Sequence, residues 1–493
     1  IRDDLVTGVQ TCALPISKYD RTRTNGQATL QFRPTETVTA TLDYTFADFE
    51  LERTYNNLSA WFNFDAQESE WTDGPQASPL VYRERIGGSD YSMGAGRDAF
   101  TSDLKSVGLN VVWDVNENLT LEFDYHDSNS ERKPDSRFGD SALLSIASWN
   151  RNVTTGYFDS ELPVLEIELG DPLSADDMVT TGSVFAFNVS DMDIEQFRAS
   201  GSFEFDADSF VESIDFGIEM TEVNNRSAGS VVQRDAWSSA AAWNTPLGAI
   251  EDLLTPASID GAFDEISGGT DSRLQTQFFT WDMVSVIKRM EQMTASGDLA
   301  LFPIADQGNC GTGLCASTTM SSDRRTEEES AALYLQANMS GEWLDRPVDI
   351  RVGVRYEETD VKSQALSPAY TGLNWVAGNE LSAVRSSEPE FTSLKGDYDI
   401  VLPNFDFKMD VTDDIVARFS ASKSLTRPNY GDIQGGQTID QLVRVSGGTG
   451  QRGNPNLQPF ESVNIDVSFE YYYGYSSYVA VGYFRDRKST RLN

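Results

Sequence analysis

Tyr125-His126-Asp127-Ser128 gathers the residue types of nucleophilic hydrolysis into four consecutive positions, and His126 is the only histidine in the chain. A triad needs those side chains to converge on one point. On a strand, neighbours in sequence point to opposite faces, so this tetrapeptide does not make a triad and His126 reads as a polar residue facing a lumen. Glu327-Glu328-Glu329 and Asp176-Asp177 have the type for paired-carboxylate hydrolysis. In a chain with 77 acidic residues such runs read instead as solvated loop. The pairs Gly435-Gly436 and Gly447-Gly448 lack the following helix that a phosphate cradle requires, and they read as turns. One histidine and no second CxxC-like pair are too little for a zinc site. Neither a catalytic residue nor a metal or cofactor site emerges.

Two other constellations remain. Cys310 and Cys315 stand in NCGTGLC, a polar, glycine-rich stretch that reads as a small loop disulfide in an oxidising compartment. The gap lets the chain fold back to the Cα separation of roughly 4.4–6.8 Å that the bond needs. Trp61, Trp71, Trp149, Trp237, Trp243, Trp281 and Trp375 interrupt segments that are otherwise polar. Flat aromatic faces of this kind present area to sugar rings or aromatic chelators, or anchor loop packing.

The elements that must position these residues are strands. Phe405, Phe407, Met409 and Val411 alternate with polar neighbours, Thr412-Asp413-Asp414 turns, and Ile415, Ala417, Phe419 and Ala421 return in the same way, which is an amphipathic β-hairpin. Five more hairpins share the pattern. They centre on Ala28–Phe46, Val107–Tyr125, Phe197–Met220, Leu333–Tyr356 and Val463–Arg485. Six hairpins give twelve strands of roughly 8–10 residues, the length that crosses a tilted bilayer. Within a hairpin the turn is short. Between hairpins the chain runs through Ala47–Lys105, Asp127–Glu195, Thr221–Ala331, Asp360–Pro403 and Thr426–Glu461, so all the long connections fall at one end. That asymmetry is the mark of an outer-membrane barrel, whereas a soluble sandwich has short loops at both ends and would bury the apolar stripes between two sheets. Composition agrees: 38 basic against 77 acidic residues gives a formal charge of -39, which disfavours nucleic acid or an anionic surface as partner and fits a cation, a neutral sugar or a metal chelate.

Three segments carry a family resemblance: LPNF at Leu402–Phe405, RFSASKSLTRP at Arg418–Pro428, and GNPNLQP at Gly453–Pro459 followed by Phe469-Glu470-Tyr471-Tyr472. With VGVRYEET at Val352–Thr359 and LEFDYH at Leu121–His126, they resemble the barrel of TonB-dependent receptors in order and spacing from about Arg21 to Phe484. The resemblance implies an outer-membrane barrel of about 22 strands with an N-terminal plug inside, energised through the TonB complex. It further implies uptake of a nutrient such as an oligosaccharide, with a ferric siderophore as the other candidate ligand and a passive channel as the other class. No plug sequence precedes Lys18, so the expectation is an all-β antiparallel meander, part of a transmembrane barrel with long extracellular loops, spanning residues 18–486. Residues 1–17 and 487–493 read as a non-native leader and tail. The ligand candidates are Trp237, Trp243, Trp375 and Arg427. The partners expected are outer-membrane lipid, the TonB complex and the ligand.

Overall fold

The computed structural model describes residues 11–62, 66–206, 208–234, 248–298, 308–367, 369–377, 380–386, 389–439, 442–445, 447–474 and 476–489. Twelve of its strands form one antiparallel meander in sequence order. They are β1 (Thr11–Thr35), β2 (Val38–Trp61), β3 (Pro79–Asn116), β4 (Leu119–Pro134), β5 (Val179–Glu204) and β6 (Val211–Arg234). The second half comprises β7 (Ser322–Trp343), β8 (Arg346–Ser367), β9 (Glu390–Asp410), β10 (Ile415–Thr426), β11 (Phe460–Gly474) and β12 (Ser477–Ser489). Thr11–Ser17, inside the stretch read as a leader, form the outward end of β1 opposite Tyr55–Trp61.

The short turns are set by local chemistry. Between β7 and β8 the two-residue loop Leu344-Asp345 has both φ angles positive, 55° and 57°. This is the left-handed pair that matches the twist of a hairpin. Next to the turns, one face of the sheet forms an apolar belt in which Phe32, Leu335 and Phe469 are 63%, 52% and 56% exposed. Groups so exposed and so apolar are stable against hydrocarbon, not water. Phe407 stacks edge-on against Trp343 with ring centroids 6.0 Å apart, and Phe405 lies 6.0 Å from Phe419. The opposite face is polar and internally bonded. Asn338 donates to Ser213 Oγ (2.8 Å) and Asp215 (2.7 Å), Lys408 pairs with Asp349 (2.8 Å), and Arg418 pairs with Glu470 (3.0 Å). The facing expected for Asp406, Lys408, Arg418 and Ser420 is the facing found. They line a groove of about 790 Å³ with Gln336 and Arg351.

One expectation needs correction. The strands are not 8–10 residues long: β3 has 38 residues and β2 has 24. Much of the sequence read as external loop, notably Ala47–Lys105, continues the ladder. Outward of the belt no lipid fixes one face as apolar, so the ladder persists without the long, single-phase apolar-polar period that announces it in the belt. There the belt face turns acidic, with Asp127, Glu195, Glu222, Glu329 and Asp360 in direct register across β4 to β8.

Val38–Phe46 lies within β2, paired on both sides, and the two unpaired edges among the described residues are those of β1 and β12. Tyr478–Phe484 lies in β12, with Val479, Val481 and Tyr483 opposite Tyr471, Phe469 and Val467.

The described part of the long segment between β6 and β7, residues 248–298 and 308–321, packs on the belt face of the sheet. Its helix α1 (Met283–Ser296) is capped by Asp282, which accepts from the Ser285 N–H, and closed by Gly297 at φ 84°. The stripe Met283, Val286, Ile287 and Met290, at helical spacing, packs with Phe278, Phe279 and Trp281 against Leu58, Met93, Leu144, Phe185 and Val232 of the extended sheet. Met93 and Leu58 lie in unbroken register with Leu109 and Leu42, so this core sits on the belt face, outward of the belt. Cys310 is bonded to Cys315 in the same excursion, with Cα atoms 6.2 Å apart. The loop it closes is short, so Cys310→Ser with Cys315→Ser should loosen only residues 308–317. Mass spectrometry of alkylated protein that finds both thiols free would remove the bond itself.

Candidate functional site

Polar-face residues outward of the belt are the ones a ligand meets first, and across β1 to β4 they are cationic and aromatic. Tyr19 is opposite Arg53, Arg53 is opposite Asp98, Leu51 is opposite Phe100, and Ser102 is opposite Arg132. Unbroken register places all of them on the face away from the belt.

The side chains interleave. The Arg53 guanidinium carbon lies 4.4 Å from the Tyr55 ring centroid and 5.5 Å from that of Tyr19, and Arg21 covers Tyr19 at 4.8 Å. Arg132 sits 4.0 Å over Phe100, whose ring is 6.0 Å from Phe49. Two carboxylates orient the cations: Arg53 Nη1 to Asp98 at 3.1 Å and Arg132 Nη2 to Asp140 at 3.2 Å. Arg21 has no carboxylate partner among the described residues. Burial pushes the Tyr55 phenol up, with Asp98 adding to the rise and Arg53 opposing it, so the ring stays neutral. The Tyr55 ring lies over Gly96, where a Cβ would come within 2.2 Å of it; the strand needs glycine at that point.

Such an array offers fixed positive charge beside flat π faces. In a chain of formal charge -39 it is a local reversal of sign. It suits an anion that is itself planar.

The residues singled out in the sequence lie elsewhere. Trp375 is on an outward ribbon, Tyr370–Ala377 paired with Glu380–Arg385, and is 64% exposed. Arg427 is not free: its Nε lies 3.0 Å from Glu328 and its Nη2 contacts Glu357. Trp237 and Trp243 lie outside the described residues. Trp281 is core, 7% exposed. His126 Nε2 is 2.9 Å from Asp124 on the polar face, while Asp127 faces the other way, so no triad forms. The cationic patch was missed because its residues fall in Ala47–Lys105 and its neighbours. The available signal was the odd-numbered series Phe49, Leu51, Arg53, Tyr55, in step with the hairpin.

A model of the family described as TonB dependent receptor-like, β-barrel, matches residues 172–492. No curated protein matches the chain. Among solved structures, the ferric-catecholate import receptor Fiu from E. coli K12 is similar at a TM-score of 0.43 and 9% identity, over 97% of this chain and 57% of that one. The siderophore receptor PiuA from Acinetobacter baumannii is similar at 0.37 and 9%, over 96% and 56%. The ferric preacinetobactin receptor BauA from the same organism is similar at 0.28 and 9%, over 98% and 63%. The chain therefore spans less than two thirds of the length of each.

Proposed function

The chain belongs to the TonB-dependent receptor β-barrel family of the Gram-negative outer membrane, and on that premise we propose that the whole receptor captures an anionic, aromatic metal chelate of the ferric-siderophore type for TonB-energised uptake. The observation that carries this reading is the Arg21, Arg53 and Arg132 array interleaved with Tyr19, Tyr55 and Phe100 on the polar face. A ferric catecholate has both properties the array addresses, net negative charge and planar rings. A neutral oligosaccharide addresses only the rings. That reading is supported by those rings and by the exposed Trp375, and leaves the arginines without a role.

The two readings separate in one titration. Arg53→Gln with Arg132→Gln should weaken binding of a ferric catecholate roughly 10- to 100-fold, from charge-assisted contacts worth about 1.5–3 kcal/mol each, discounted for solvent. Binding of neutral oligosaccharides should not change. A ferric catecholate bound equally well by both proteins would sink the proposal, and an oligosaccharide lost on Trp375→Ala would establish the other reading.

A further inference from the structure

Two donors are buried without an acceptor where the excursion between β6 and β7 meets the wall. Arg97 Nη1 and Trp281 Nε1 have no hydrogen-bond partner among the described residues, and Trp281 is only 7% exposed. A buried N–H left unpaired is costly enough that each instance calls for a cause. Both side chains line one cavity of about 300 Å³, together with Lys18, Asn56, Met283 and Val284.

Register gives the cavity its place. Lys18 is opposite Thr54 and Thr54 is opposite Arg97, in unbroken step with the belt residues Ala28, Tyr44 and Val107. The cavity therefore lies on the belt face, away from the array of Arg21, Arg53 and Arg132. Thr54 is eight residues outward of Phe46, roughly 20 Å above the belt at the usual strand tilt. At that height the surroundings are the sugars of the surface glycans, not hydrocarbon.

The lining is rich in donors. Lys18 is exposed and has no carboxylate partner among the described residues. Arg97 gives its Nε to Glu52 at 2.9 Å, which leaves Nη1 uncommitted. Met283 and Val284 open α1, so their N–H groups have no intrahelical acceptor and stand at the positive end of the helix dipole. Asp282, the one carboxylate among the lining residues, already accepts from the Ser285 N–H at 2.7 Å and from the Ser285 hydroxyl at 2.6 Å. Asn56 holds Trp281 in place by donating to its carbonyl oxygen at 3.1 Å. What the lining lacks is an acceptor, and a group with several oxygens and a negative charge answers all of these donors at once.

We propose that this cavity is an oxyanion site filled by a phosphate group, and that the bound phosphate pins the start of α1 to β1 and β3. A sugar of the surrounding glycan and free phosphate present the same oxygens. Because the cavity and the arginine array lie on opposite faces, the site stands or falls apart from the ligand proposed for that array.

Hydrogen exchange over 281–287 of the whole folded protein in detergent reads the site, with inorganic phosphate, glucose 6-phosphate and glucose as probes at constant ionic strength. Either phosphate at saturation should slow exchange there on the order of tenfold, while glucose has no effect. Trp281→Phe keeps the ring and removes the unpaired N–H, so without phosphate its exchange should match that of the original protein. Trp281→Phe and Lys18→Gln should each raise the phosphate concentration for half the effect roughly tenfold. Glucose 6-phosphate acting at a lower concentration than inorganic phosphate assigns the site to the glycan, and the reverse order assigns it to the free ion. Equal protection by glucose, protection that both variants leave unchanged, or no protection by any probe overturns the proposal.

Discussion

Phe407→Arg should leave much less folded protein in the outer membrane than Ser420→Arg. The two sites lie on adjacent strands of one hairpin, one residue apart in register, and differ chiefly in face. Phe407 is in the belt, with Trp343 against its ring. A guanidinium there meets hydrocarbon, at a cost of about 2–4 kcal/mol near the bilayer midplane. Ser420 faces the polar side with Asp406 opposite on β9 and Asp466 opposite on β11. An arginine at 420 therefore finds two carboxylates, and its cost should be near zero. The heat-modifiable fraction on gels reports folded barrel, and equal losses from both substitutions would overturn the facing of the sheet.

Ile287→Ala should detach the excursion between β6 and β7 while leaving the belt intact. Ile287 is fully buried between α1 and the extended sheet, and deleting most of such a side chain costs about 2–5 kcal/mol. The ion pairs of α1, Glu291 with Arg137 and Arg289 with Asp252, lie outward of the belt, so the loss should stay local. Limited proteolysis should cut within 248–298 at a rate at least tenfold higher, which a loss of about 1.4 kcal/mol already gives. The heat-modifiable fraction should match that of the original protein. A barrel that fails along with the excursion would show that the two fold as one cooperative unit.

These two sites also mark what could be read from the sequence. The belt was legible because lipid imposes two demands at once, apolar side chains on one face and strands without interruption, and Phe405, Phe407 and Met409 satisfy both visibly. Tyr91, Met93 and Ala95 have the same period, but the residues between them are serine and glycine, Ser92 and Gly94, which read as loop. Their partners are helix residues nearly two hundred positions later, and local pattern does not reach that far. Arg427 illustrates the same limit for charge. A single arginine before Pro428 looks free in the sequence, and only the meander brings Glu328 and Glu357 to it. The cationic patch was hidden for a third reason: beyond Ala47 the larger side chains, Phe49, Leu51, Arg53 and Tyr55, move to odd-numbered positions, so the period of Val38–Phe46 changes phase and reads as the end of the strand.

The outward continuation of the strands has a consequence of scale. The part of β2 beyond the belt, Ala47–Trp61, runs about 50 Å along the strand at roughly 3.3 Å per residue, or some 35–40 Å of height at the usual barrel tilt. The wall therefore acts as a parapet, carrying the excursion and the arginine patch beyond the headgroups and into the glycan layer that coats such cells. Whatever binds there must first pass between sugar chains, and the length of those chains, not the bilayer, becomes the first filter on what arrives. Protease added to intact cells should in turn reach residues 248–298 in strains with short surface glycans before it reaches them in strains with long ones.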